Sequence, residues 1–165
     1  YKRQSFDKRN EPWIYTKSTV VDFDGTPILF TPWICDDNYD HSMEMLRTAK
    51  ADICFGHLEI KGIEMQNGVI NEHGLSKSDF QRFDRVVSGH FHKHTDDGQI
   101  FYCGAQYEMT WSDYQDPKAF HIFDTETREL TRISNPLTIH KKIIYDDKKK
   151  DYTNFDIQPL SLIHI

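Results

Sequence analysis

The sequence is poor in cysteine, with three in 165 residues, and Cys35, Cys54 and Cys103 stand far apart inside apolar runs. An odd number without close spacing excludes a disulfide framework or a zinc ribbon and reads as reduced, buried thiols of a cytoplasmic protein. No apolar stretch approaches the ~18 residues that a membrane-spanning helix needs, so a soluble protein without membrane partners is expected. Positive charge is also short: 20 Lys and Arg against 26 Asp and Glu leave a formal charge of -6. That argues against nucleic-acid binding through one overwhelming basic face. It does not exclude a nuclease, because bound divalent cations add charge that no side-chain count contains. The opening YKRQSFDKRNEPW has neither an initiator Met nor an apolar signal segment and reads as a cut end. Missing too are a Walker Gly-Lys-Ser/Thr loop, a Gly-x-Ser-x-Gly elbow and a GxGxxG after a strand, which removes three familiar chemistries.

What is present suits one packed domain: 38% hydrophobic and 13% aromatic residues suffice for a core at this length. STVVDF and PILFTPWI, separated by DGTP, read as a hairpin. DHSMEMLRTAK reads as a short helix with Asp40 as its cap and Met43 and Leu46 at helical spacing. ADICFGH is too short for a helix and lacks alternation, as expected for a strand buried on both faces that stops at Gly56-His57. LEIKGIEMQNGVINEHGL reads as loop or short irregular strands, and SKSDFQRF as a brief helix behind a Ser cap. RVVSGHF then repeats the pattern of buried strand, Gly and His. QIFYCGA and AFHIFDTETRELTRI add strands, and KKIIYDDKKKDYTNF is a charge run. The pattern implies a mixed α/β architecture with more than one β layer, its functional crevice beyond the carboxyl ends of the strands.

The run Arg85 to His94, RVVSGHFHKH, carries three histidines at alternate positions. In extended chain His90 and His92 point the same way, roughly 6.6–7 Å apart. They can share one metal if the chain bends, or serve one each of two ions ~3.5–4 Å apart. Same-side imidazoles repel if both protonate and gain if a metal holds them neutral. The Gly before each motif admits close backbone approach and unusual dihedrals. His94 shares the parity but lies toward the TDDG turn, outside the ligand shell. His41, His73, His121 and His140 read as packed or solvated, and His164 belongs to a doubtful tail. A cupin site, also His-x-His with a later carboxylate, would use Asp96, but DDGQ looks committed to a hairpin and no later Pro-Gly-then-His segment follows.

FGHLE followed by VVSGHFHKH resembles the last two metal motifs of calcineurin-like metallophosphoesterases, Gly-His and Gly-His-x-His. YCGAQYEMTWSDYQDPKAFHIFD is similar to the continuation found in SbcD-type DNA repair nucleases, especially the small subunits of T-even phage recombination endonucleases. The resemblance runs from about Trp13 to Asp124. It implies two packed β-sheets flanked by helices and two divalent ions, usually manganese. Residue by residue, it makes His57 and His90 ligands of one ion and His92 of the other. The metals then activate a hydroxide that attacks a DNA phosphodiester. The family's Asp-x-His, Gly-Asp-x-x-Asp and Gly-Asn-His motifs, the last holding its general acid, do not occur in this sequence.

The expected organisation is therefore the C-terminal part of a metallophosphoesterase domain over 1–140, a charged linker or the start of a truncated segment over 141–159, and 160–165, LSLIHI, resembling a translated sequencing adapter. The expected function is a metal-dependent DNA exo/endonuclease subunit in recombination and double-strand-break repair. Its partners would be DNA, an SbcC-type coiled-coil ATPase and, in a dimer, a second copy. Alternatives are a phosphoesterase for a nucleotide or small phosphodiester, and a non-catalytic metal-binding module. Lys61 and Lys93 are candidate phosphate contacts, with Lys77, Arg82 and Arg85 behind them.

Overall fold

In the computed structural model, residues 14–66, 68–142 and 148 are described. Thr19–Phe23 (β1) and Thr26–Thr31 (β2) pair antiparallel around Asp24 and Gly25, at φ 52° and 90°. Two successive left-handed residues make the tight turn whose twist suits a hairpin. Tyr39–Thr48 forms helix α1 and buries Met43 and Leu46, as their spacing predicts. Its cap is Asn38 rather than Asp40. Asp40 sits in the first turn, where a negative charge favours the helix N-terminus.

The chain continues through Ile53–Gly56 (β3), the small hairpin Glu64–Gln66 (β4) and Val69–Ile70 (β5), and a 3-10 turn over Lys77–Phe80. That turn has the capping box expected of Ser76 and Asp79. Arg85–Ser88 (β6), Thr95–Asp96 (β7) and Ile100–Tyr102 (β8) follow, then a 3-10 turn at Trp111–Asp113 and a second hairpin, Ala119–Phe123 (β9) with Leu130–Ser134 (β10). Strands β2, β3, β6 and β8 run parallel within a six-stranded sheet of order β1-β2-β3-β6-β8-β7.

Side chains alternate across that sheet. Leu29, Cys54, Val86, Ile100 and Tyr102 join Leu46 of α1 and Phe80 and Phe83 beyond the 3-10 turn in one core cluster. On the opposite face Phe55 meets Phe123 of β9 with ring centroids 5.0 Å apart, and Phe101 meets His121 at the same distance. The fold is thus mixed α/β, with one broad sheet, one α-helix among the described residues, and a two-stranded hairpin as the second β layer.

All three cysteines are free. Cys54 is buried and its thiol is pushed up to about 12 by burial; Cys103 is half-buried, but Cys35 is exposed, contrary to the expectation of three buried thiols. Cys35 precedes α1 in the turn that Asn38 closes by accepting its N–H, so the apolar run there ends at the surface. Among the described residues no helix is long and apolar enough to cross a membrane. Most of the charged stretch 141–159, and all of 160–165 with His164, lies outside the described residues.

Glu108 ties down the segment after β10. It is 4% exposed, and its carboxylate accepts the backbone N–H of Ile139 at 2.6 Å, of His140 at 2.7 Å and of Gln115 at 3.4 Å. Burial alone would raise its pKa, but the donors from His140, Ile139 and Gln115 outweigh it and hold the carboxyl below the usual glutamate range. A depressed carboxyl stabilises the fold above its unfolded value and loses that contribution as pH falls through the folded one. Glu108→Gln should therefore cost about 1–3 kcal/mol at neutral pH, measured by denaturant unfolding. The gap from wild type should close as pH falls below about 4; a gap unchanged in acid would assign the effect to shape rather than charge.

Candidate metal centre at the ends of the parallel strands

Strands β3 and β6 pair in the register Ile53 with Arg85 through Gly56 with Ser88. The two Gly-His signatures are consequently offset by one: His57 lies level with Gly89, whose N–H donates to the Gly56 carbonyl at 3.1 Å. A Cβ on Gly89 would stand 3.0 Å from His57 Nδ1, and one on Gly56 would stand 2.9 Å from the Thr31 carbonyl oxygen. Both glycines serve close approach.

The unusual dihedral falls instead on His90, at φ 69°, a conformation uncommon for any residue but glycine. The extended geometry expected of His90 and His92 therefore does not hold, because β6 ends at Ser88 and the chain turns at His90. His90 swings toward His57, with Nδ1 3.3 Å from His57 Nε2. Trp33 packs against both rings at 5.9 Å and 5.0 Å.

The His57 loop is anchored from beneath. Leu58 N–H donates to Ser88 Oγ at 2.9 Å, and the Leu58 carbonyl accepts from Ser88 Oγ at 3.3 Å and from the Tyr102 hydroxyl at 2.8 Å. All three residues are buried, so these bonds form where water cannot substitute for them.

His92 has its own surroundings. Its Nδ1 is 3.2 Å from Asp113 Oδ2, which also accepts the N–H of Met109 at 2.9 Å and of Thr110 at 2.8 Å. Lys118 Nζ donates to Asp113 Oδ1 at 2.8 Å, to Asp116 at 2.7 Å and to the His92 carbonyl at 3.1 Å. The side chains of Asp113 and Lys118 are each 2% exposed. Burial would raise the Asp113 carboxyl, but Lys118 and the two backbone donors hold it far below the usual carboxylate range. Burial first, and the neighbouring His90 second, lower His57, which favours the neutral imidazole that a metal requires.

Two nitrogens each ~2.0–2.1 Å from one ion at tetrahedral angles lie about 3.3 Å apart. The separation of His57 Nε2 and His90 Nδ1 fits that arrangement. Among the described residues, no group of three or more His, Cys, Asp or Glu side chains converges on one ion position. The candidate donors are thus an imidazole pair and, apart from it, the third imidazole of His92. A cleft of about 330 Å³ opens beside them, lined by His90, His92, Lys93, Glu59, Asn71 and Asp113 among others.

Lys93 at the cleft donates to Glu64 at 2.7 Å, and Lys61 is exposed in the turn before β4. Lys77 pairs with Asp97. Arg82 donates to the carbonyls of Leu46 and Ala49, and Arg85 to Asp96 and the Gly98 carbonyl. These last three side chains thus already have partners within the protein. His94 Nδ1 donates to the Tyr102 carbonyl at 2.8 Å, away from the imidazole pair. His41 contacts the Ser18 carbonyl and His140 stacks on Trp111.

Sequence reasoning missed Asp113, Lys118, Ser88, Tyr102 and Trp33. Thr110-x-x-Asp113 carries a legible capping-box spacing, and that box is formed. Nothing local pairs Asp113 with a histidine 21 residues earlier. Ser88→Ala should strip Leu58 of its acceptor, cost about 1–3 kcal/mol and speed hydrogen exchange at the Leu58 amide. Unchanged exchange there would show that the loop is held by other contacts.

No family model matches the chain. Over 149 residues, 88% of its own length, the chain is 36% identical to Exonuclease subunit 1 of Enterobacteria phage T4. It spans 44% of the length of that relative. Along those residues the chain is similar in sequence to a phage exonuclease subunit.

Proposed function

We propose that this chain carries the histidine half of a two-metal phosphodiesterase site in a DNA nuclease subunit, with the calcineurin-like fold of SbcD-type enzymes. The observation that carries the reading is the 3.3 Å approach of His57 Nε2 to His90 Nδ1 at the carboxyl ends of parallel strands. Similarity to a protein named as an exonuclease subunit adds weight. In this reading His57 and His90 hold one divalent ion and His92 helps hold a second. When bound, the two ions, manganese by resemblance, supply Lewis-acid stabilisation of the charge that develops on the phosphate during hydrolysis.

The chain's own residues do the positioning. The Ser88 and Tyr102 bonds fix the backbone beside His57, and Trp33 limits how far the two rings can turn. The cleft beside His90 and His92 offers the space for a phosphate. Carboxylate ligands and a general acid would come from motifs outside this sequence. Lys61 and Lys93 are the proposed backbone contacts to DNA, and an SbcC-type ATPase, with a second copy of the subunit, the proposed assembly.

In the full-length protein, His90→Ala or His92→Ala should abolish manganese-dependent cleavage of linear duplex DNA while leaving the fold intact by circular dichroism. His94→Ala should keep most activity. Retained turnover in His92→Ala would sink the two-metal assignment, and cleavage confined to nucleotide phosphodiesters would favour a small-substrate phosphoesterase instead.

A phosphate contact by Lys93 requires that the slope of log affinity against log salt fall by about one in Lys93→Ala. An identical slope would remove Lys93 from the DNA surface.

A further inference from the structure

Asp113 is the feature that the two-metal reading leaves unexplained. Its capping box accounts for the Thr110 N–H contact, the Met109 N–H and the Thr110 hydroxyl donate to Oδ2 from the same turn, and Lys118 accounts for Oδ1. None of these accounts for the approach of His92 Nδ1 to Oδ2 at 3.2 Å. A capped 3-10 turn has no need of a buried ammonium, yet Lys118 also reaches the His92 carbonyl at 3.1 Å. One cation thus holds His92 at two points, directly through its main chain and through Asp113 at its ring.

We propose that Asp113 is a positioning residue for His92: by accepting the Nδ1 proton it fixes the ring in the tautomer and orientation that present Nε2 as the metal-facing donor. The inference rests on the reading of His92 as a ligand. Its logic is one of donors and acceptors. The Asp113 carboxylate receives two backbone N–H groups and an ammonium, so it acts only as an acceptor, and a ring nitrogen facing it must carry hydrogen. In a neutral imidazole the other nitrogen then holds the lone pair. Carboxylates behind ligating histidines do this in metal sites generally, raising ligand basicity and restricting ring rotation. Lys118 in turn keeps the carboxylate from rotating, since Asp116 takes another of its hydrogens and His92 the third.

The test is a long-range proton–nitrogen spectrum of the full-length, metal-free protein labelled with 15N-histidine, at about pH 8, where ordinary imidazoles are neutral. Zinc is then titrated in. Expected are a protonated Nδ1 and a bare Nε2 at His92, with the Nε2 resonance moving as zinc binds. A protonated Nε2 on a ring that still responds to zinc would overturn the positioning role and leave the ligand reading standing. A ring indifferent to zinc would overturn the ligand reading and the proposal with it. As a second measurement, Asp113→Asn should weaken zinc binding 10–100-fold while His57 and His90 keep their metal-free spectra. Unchanged affinity in a folded variant would overturn the proposal. The wild-type spectrum decides the tautomer even where the substitution destabilises the fold.

Discussion

The parallel register of β3 on β6 is the constraint on which the rest depends. Because Gly56 pairs with Ser88 and not with Gly89, His57 arrives beside a residue with no side chain, and His90 must turn back to meet it. Shifted by one position, the same sequence would flip each inward side chain of the strand to the other face. Val86 would leave the core that it shares with Cys54 and Ile100. Core packing therefore enforces the register, and the register enforces the imidazole pair.

Two unfavourable features accumulate where the site is. His90 holds a left-handed backbone, which costs on the order of 1–3 kcal/mol, and Asp113 with Lys118 is an ion pair taken almost wholly out of water. Buried pairs rarely stabilise a fold relative to apolar replacements. Strain and desolvation of this kind are tolerated where surrounding packing overdetermines them. Here the supports are Ser88 and Tyr102 on one side and the Glu108 and Thr110 turns on the other.

Much of the architecture was legible because short-range chemistry determines it. The Asp24-Gly25 turn, the Ser76 capping box and the two buried strands ending in Gly-His all follow from residue type and spacing, and all are formed. His57, His90 and His92 stood out for the same reason. What spacing could not reveal was geometry set by long-range pairing. The one-residue offset of the two motifs came from strand register, and the turn at His90 defeated the extended-chain estimate. Nor can composition display that Arg82 and Arg85 already bond carbonyls and carboxylates distant in sequence.

The distance along the chain between His57 and His90, 33 residues, bears on the order of folding events. Their approach requires two strands to pair in parallel across an intervening stretch that holds β4, β5 and a 3-10 turn. Closing such a loop costs entropy before any contact repays it, so pairings of this type tend to form late. Local pieces such as the β1–β2 hairpin and α1 can assemble while the imidazoles are still far apart. The pair thus comes into being with the central sheet, and a probe sensitive to the meeting of these two rings would report the pairing of that sheet rather than the assembly of the local pieces.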